Sequence, residues 1–381
     1  MSGIHFASHK GHAARFGTGV SLHGHTLHSR ETLDFVHRST CDTPWLSGFI
    51  RKQQAKYRAL NGADFDLKRA WWTPPLSARQ AWELEKGQIE NLGLRPYVSL
   101  SDHDTIDGCL QLRLFADLRD EPISVEWTVP FRQTFFHVGA HNVPFDLSAE
   151  ISQSMAELTA RPDEARIARL LEWLGEAPDS LVILNHPLWD ESHIGTEAHN
   201  ECATAFLETF GAFIHALELN GLRPWQENRK VIQLAGHHGL PVISGGDRHG
   251  KEPNACINLT NAATFGEFAD EIRRDHQSEI LFLPQYREPL KMRVLESITD
   301  VLVDDPHHAM GWVSWSDRVF CQTEDGGVRS VRELLGEDVS GVVSTLISLM
   351  SFVKNRSLRS ALRLALADST DLAITGLPGF D

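Results

Sequence analysis

Leu240-Pro-Val-Ile-Ser-Gly-Gly-Asp247-Arg-His249 is an apolar run that closes on two glycines and then on an acid and an imidazole two residues apart. In extended chain, side chains at i and i+2 share a face, so Asp247 and His249 form one pair of donors, and the glycines let the backbone approach a bound group. The same pattern recurs. Segments 19–25, 95–102, 123–128, 134–140, 181–186 and 212–220 are each apolar or alternating, and each closes on polar residues. At or just after such ends stand His23, His25, Glu31, His103, Glu126, His137, His186, Asp247 and His249. Imidazoles mixed with carboxylates, without cysteine, suit zinc, manganese or iron in hydrolytic sites that keep positions open for water and substrate.

Helical signals separate most of these segments. Ser77-Ala-Arg-Gln80 and Thr264-Phe-Gly-Glu267 have capping-box spacing, Gly93 sits where a glycine would stop the first of those helices, and 149–159, 165–174, 203–210 and 226–235 read as helices. Strands alternating with helices predict an α/β fold with a mainly parallel sheet, and polar residues gathered at the carboxyl ends predict a barrel of about seven strands. The barrel is expected over 17–290. It contains a long insertion, 38–75, with Trp45, Trp71, Trp72 and Pro74-Pro75, which serves either as a lid or as packing against the barrel. Residues 291–381 read as a mainly helical extension: Ser330-Val-Arg-Glu333 starts one helix, and 342–353 and 357–366 follow, with Lys354, Arg356, Arg359 and Arg363 on the polar side. Ser344, Ser348 and Ser351 dilute the apolar run, which favours a cap on the barrel over a membrane-surface helix.

The chain has 381 residues and a formal net charge of -15. That charge disfavours a nucleic-acid polymer as partner, because such binding relies on Lys and Arg displacing counterions. It leaves a small anionic substrate open, since bound cations reverse the local field. The 5 cysteines (Cys41, Cys109, Cys202, Cys256, Cys321) form no C-x-x-C pair and predict reduced thiols. With no signal-like leader and no apolar run of membrane-spanning length, a cytoplasmic location is expected. Oligomeric state is not encoded in any of these features.

Leu22-His23-Gly24-His25, Ser99-Leu-Ser-Asp102-His103-Asp104-Thr105, Leu184-Asn-His186-Pro187 and Ser244-Gly-Gly-Asp247-Arg-His249, with Glu126 and His137 between them, occur in the order of the PHP (polymerase and histidinol phosphatase) family of metal-dependent phosphoesterases, which the chain resembles. The resemblance implies a distorted (β/α)7 barrel and two or three divalent cations per chain, at a di- or trinuclear centre. It implies His23, His25, His103, His137, His186, Asp247 and His249 as ligands and Glu126 as a bridging carboxylate. Glu31 has the right offset for the ninth ligand, with His28 and Asp34 as competitors. The mechanism implied is attack by metal-activated water without a protein nucleophile. Glu126, Asp247, His249 and Asp102 then carry the chemistry, with Asp102 and Asp104 fixing the His103 ring. Two departures stand out: the interval from His25 to His103 is long, and Arg248 occupies a variable place, where it binds either a phosphoryl oxygen or a neighbouring carboxylate.

Arg223 and Asn220, at a strand end or the loop beyond it, complete the expected substrate-binding set, and Glu218 is expected to face the polar interior. His28, His141, His193, His199, His237 and His238 are read as surface or satisfied interior residues. Neither a G-x-S-x-G elbow nor a P-loop is present. The leading expectation is hydrolysis of a small phosphomonoester or nucleotide. The alternatives are an amidohydrolase-like enzyme acting on a C–N or ester bond, which would normally want a carbamylated lysine where Glu126 stands, and a non-catalytic metal-binding scaffold.

Overall fold

The computed structural model describes residues 2–6, 11–33, 69–323 and 326–336, with short stretches at 55, 57–59, 62 and 362–366. In chain order the strands are β1 (Ser2–Phe6), β2 (Thr18–Leu22), β3 (Glu31–Thr32), β4 (Ala70–Trp72), β5 (Arg95–Ser99), β6 (Val125–Phe131) and β7 (Thr134–His141). They continue with β8 (Leu181–Leu184), β9 (Ala216–Asn220), β10 (Val242–Gly245), β11 (Cys256–Thr260), β12 (Ser278–Phe282), β13 (Val319–Gln322) and β14 (Val328–Ser330). Each of the seven apolar segments contains a strand. β8 shows why: all four residues of Leu181-Val-Ile-Leu184 are buried, as in a strand covered on both faces.

The helices are α1 (Ala78–Glu90), α2 (Asp107–Leu112), α3 (Ser148–Ala160), α4 (Glu164–Glu176), α5 (Thr196–Phe210), α6 (Trp225–His238), α7 (Phe265–Arg273), α8 (Leu290–Leu302) and α9 (Val331–Leu335). The capping box at Ser77 and Gln80 opens α1, the one at Ser330 and Glu333 opens α9, and the Thr264 hydroxyl accepts from the Glu267 N–H at the start of α7. Each satisfies backbone donors that the first turn leaves orphaned.

The strands form three sheets, ordered β1-β12-β11-β2-β5, β10-β9-β8-β7-β6 and β14-β13-β4-β3. Two expectations change here. The sheets are mixed, since β6–β7, β7–β8, β2–β11 and β11–β12 run antiparallel while β2–β5, β8–β9 and β9–β10 run parallel. The pairing also does not close into one continuous barrel. The two larger sheets meet along one rim through single bridges, His103 with Glu126 and Gly24 with Arg248. His23 and Asp247 have φ of 61° and 55°, so the chain leaves extended geometry where the ladders would have to continue.

Core residues explain how the halves hold together. Val20 and Leu22 from the first sheet pack with Leu181, Ile183, Ala216 and Ile243 from the second, and with Phe265, Phe268, Ala269 and Ile272 around α7. A larger cluster, with Trp127, Phe131, Phe206 and Phe210 in it, binds the outer helices to the strands.

The C-terminal extension is not solely helical, because β13 and β14 follow α8 and extend the sheet begun by β3 and β4. An extended pair that short has too little apolar periodicity to announce itself in sequence. Trp45, Asp34 and the helix expected over 342–353 lie outside the described residues; of 357–366, residues 362–366 are described and helical. Among the described residues no helix is long and apolar enough to cross a membrane, and no disulfide forms.

Candidate metal centre

All nine residues singled out as ligands come together at the rim where the two larger sheets meet. Glu126, the second residue of β6, is their hub. Its Oε2 lies 3.0 Å from His23 Nε2, 3.4 Å from His25 Nε2 and 3.3 Å from His103 Nδ1, while its Oε1 lies 3.1 Å from His186 Nε2 and 3.5 Å from His137 Nδ1. Asp247 Oδ1 approaches the His23 and His25 Nε2 atoms at 3.6 and 3.5 Å. Glu31 forms a second focus: its Oε2 is 3.1 Å from His249 Nε2 and 3.4 Å from His103 Nε2. Three groups place one donor atom per residue within 4.8 Å of each other: His25, Glu31, His103 and His249; His23, His25 and Glu126; and His103, Glu126 and His137.

Backbone geometry at the strand ends aims these side chains inward. His23, His186 and Asp247 have φ of 61°, 26° and 55°, a region that costs a non-glycine residue on the order of 1–3 kcal/mol and survives only where surrounding contacts impose it. Those contacts are visible. The His25 N–H donates to the Arg248 carbonyl at 2.9 Å, and the Asp247 N–H donates to the His23 carbonyl at 2.7 Å.

A ring of polar side chains fixes the ligands in turn. The Glu218 carboxylate accepts from His23 Nδ1 at 2.5 Å, from the His186 N–H at 2.8 Å and from Asn220 Nδ2 at 2.9 Å. With Nδ1 as donor, His23 turns its Nε2 lone pair toward Glu126 and Asp247. Asn220 also reaches Asp247 Oδ2 at 3.2 Å, Asn185 donates to Glu126 Oε1 at 2.9 Å, and the Ser29 hydroxyl donates to Glu31 Oε1 at 2.6 Å while accepting from the His103 N–H at 3.0 Å. Asn185 and Ser29 escape a motif reading, since neither residue type stands out among polar residues at strand ends. The glycines before Asp247 serve these supports: a Cβ on Gly245 would overlap the Glu218 carboxylate, and one on Gly246 would overlap the Asn254 amide. They make room for protein side chains, not for a bound group.

Three atoms bear on what the cluster can hold. His23 Nε2, His25 Nε2 and Glu126 Oε2 are buried, converge on one another and make no hydrogen bond. Buried polar atoms left unpaired cost about 1–3 kcal/mol each, and a divalent cation between them satisfies all three. The donor set therefore fits a metal. Electrostatics agree: burial alone would raise the Glu126 pKa, but His23, His103 and His137 hold its carboxyl well below the usual range, and His249, His103 and His25 do the same for Glu31. Burial opposes charge on His23, yet Glu126, Glu218 and Asp247 hold that ring well above the ordinary imidazole value.

Three expected roles fall elsewhere, and Arg248 takes the carboxylate of its two expected partners. Arg248 is buried, and its guanidinium donates to Glu85 Oε1 at 2.9 Å, to the Gly250 carbonyl at 3.0 Å and to the His25 carbonyl at 2.8 Å, so it ties the rim together instead of facing the cavity. Asp102 accepts from the Thr26 N–H at 2.5 Å and its hydroxyl at 2.8 Å, and Asp104 accepts from the Thr128 N–H at 2.7 Å; both brace backbone and neither holds the His103 ring. Asn220 orients Asp247 and Glu218. Local alternation cannot foresee this, because each of these polar groups takes the nearest buried partner that relieves its desolvation.

Of the histidines set aside, His28 bonds to Gln111 at 3.0 Å, His141 to Ser99 at 2.8 Å and His199 to the Pro187 carbonyl at 3.1 Å, whereas His193 lines the cavity. That cavity has a volume of about 200 Å³ and opens over His103, His137, His186, Asp247 and His249. Glu31, Thr32 and Trp72 form part of its wall, and Trp189, Glu191 and Arg223 another. The Arg223 guanidinium lies 3.8 Å above the Trp189 ring and 3.6 Å from Asp247 Oδ2, and its buried Nε makes no hydrogen bond. Trp189 and Glu191 carry no signal in the sequence because they lie in a loop without periodicity.

The sequence matches no family model and no curated protein. Among solved structures, a protein described as a metal-dependent phosphoesterase from Bifidobacterium adolescentis aligns at 16% identity and a TM-score of 0.32 over 52% of this chain and 91% of that one. PsfC from Pseudomonas syringae aligns at 14% and 0.38, over 74% and 96% respectively. An amidohydrolase from Chromobacterium violaceum, with bound sulfate and no metal, aligns at 16% and 0.33, over 48% and 86%. Likenesses of this extent assign neither a family nor an activity to the chain.

Proposed function

We propose that this protein is a metal-dependent phosphoesterase of the PHP type, hydrolysing a small phosphomonoester or nucleotide at a di- or trinuclear centre. The observation that carries the proposal is the convergence of nine imidazole and carboxylate side chains, with three of their buried donor atoms left without hydrogen bonds. On this reading β2 and β5–β10 form an opened seven-stranded ring, a view supported by the rim bridges and by the shared inner core. Zinc, manganese or iron would be held by His23, His25, Glu31, His103, Glu126, His137, His186, Asp247 and His249, with Glu126 placed to serve more than one ion. When bound, such ions supply Lewis acidity and make water a nucleophile near neutral pH.

The chain's own residues do the rest. Glu218 and Asn220 orient His23 and Asp247, Asn185 orients Glu126, and Ser29 orients Glu31. Arg223, stacked on Trp189 beside Asp247 with donors to spare, is suited to a phosphoryl oxygen, and its planar fork can pair with two oxygens of one phosphoryl group. The cavity volume restricts what fits to a small ester or to one end of a larger one. Glu126 occupies the hub that an amidohydrolase-like centre would give to a modified lysine, and a cavity open onto the ligands favours catalysis over a closed structural site.

The test is elemental analysis of purified protein together with turnover of phosphomonoesters, phosphodiesters and nucleotides. Asp247→Ala and Glu126→Ala should abolish turnover and lower metal content while circular dichroism stays unchanged. Wild-type rates in either variant would refute the proposal.

A further inference from the structure

Glu31 differs from the other ligands in how it is held. It opens β3, a strand of two residues paired with β4, with Glu31 opposite Trp72 and Thr32 opposite Trp71. On its other edge β4 pairs with β13: Val319 lies opposite Trp72, Phe320 opposite Trp71 and Cys321 opposite Ala70. The Thr73 N–H donates to the Arg318 carbonyl at 3.1 Å and extends the same ladder. An isolated ribbon as short as β3–β4 is marginal in water. What consolidates it is the C-terminal segment, because Val319, Cys321, Val331 and Leu334 bury a small apolar cluster with Ala70, against which Trp72 packs. Trp72 in turn stands in the cavity wall with its ring 5.9 Å from that of His249.

We propose that β13 and β14 are part of the metal centre: through β4 they hold Trp72 at the cavity and Glu31 against His25, His103 and His249. The cation taken by that group then depends on the C-terminal segment, whereas cations held around Glu126 do not. This rests on the metal-centre reading above.

The experiment titrates full-length, chelator-stripped protein with Mn²⁺ by calorimetry, counts retained metal by elemental analysis and follows the fold by circular dichroism. Glu31→Gln, Phe320→Pro and Val319→Gly are compared with wild type. Glu31→Gln and Phe320→Pro should weaken the same single equivalent by roughly tenfold or more, the scale seen when a ligand's support is lost, and leave the others in place. Should Phe320→Pro unfold, Val319→Gly decides, with the same equivalent expected to weaken several-fold. A folded β13 variant that binds every equivalent as wild type does overturns the inference, as does a Glu31→Gln variant that loses none. Wild-type protein that takes up no cation overturns the metal-centre reading itself.

Discussion

Replacing Glu218 by Gln alters one atom type in a carboxylate that does not line the cavity over the ligands, yet its effect should reach the metal. The Glu218 oxygens face three donors: His23 Nδ1 on Oε1, and the His186 N–H and Asn220 Nδ2 on Oε2. Glutamine offers one acceptor and one donating NH₂. Keeping its oxygen on the two-donor side turns its NH₂ toward His23 Nδ1, which must then accept, so the ring proton moves to Nε2. That proton points at Glu126 Oε2, 3.0 Å away, and blocks the lone pair needed for ligation. The opposite rotamer sets NH₂ against two N–H groups and costs more. Lost support of this kind weakens metal binding about 10- to 100-fold, or roughly 1.4–2.8 kcal/mol. Competition against a fluorescent chelator at fixed pH measures it, with denaturant unfolding as the check on the fold. Affinity within twofold of wild type would mean that His23 is not a ligand or that Glu218 does not set its tautomer.

Three further outcomes follow from the same geometry. Gly245→Ala should mimic Glu218→Gln in metal affinity, because its methyl group displaces the Glu218 carboxylate, and a variant with full metal content would contradict the packing. Arg248→Met should destabilise the protein by about 3–5 kcal/mol in urea unfolding, since it strands the buried Glu85 carboxylate, whose pKa burial already raises; a change under 1 kcal/mol would argue against that pairing, the two thresholds being the usual scales for breaking buried and surface pairs. Metal loading near neutral pH should release protons from His23 and His103: burial opposes their charge, but neighbouring carboxylates hold both pKa values well above 6.5. Affinity should therefore rise with pH, and binding heats should vary with the buffer's ionisation enthalpy. Buffer-independent heats would refute it. In metal-free protein the stability owed to these two rings is fully present below about pH 6.5, their unfolded value, and declines as pH rises through the folded value.

Much of the architecture was legible because it is written locally. Apolar runs located the seven strands, and the spacing of Ser77 with Gln80, Thr264 with Glu267 and Ser330 with Glu333 marked helix starts that the structure retains. β1, β11 and β12 have no comparable signal: they are as long as the strands that do, but they carry no chemistry at their ends. The sense of pairing was illegible too: β6 and β7 look like any other pair of apolar runs, but a two-residue turn at Arg132 makes them a hairpin and turns the sheet antiparallel.

What the chain determines by itself is which residues stand at strand ends, and hence which imidazoles and acids are available to meet. The partner each polar group takes was decided only in three dimensions. Arg248 reads equally well as a phosphate clamp or as a rim tie, and it is Glu85, 163 positions away, that settles it. The glycines before Asp247 make space for Glu218 and Asn254, and β13 reaches β4 across most of the chain. The physical reason is the same each time. Backbone periodicity is a property of neighbours in sequence, whereas the desolvation of a buried charge or an unpaired strand edge is relieved by whatever the fold brings within 3 Å, and no local pattern encodes that.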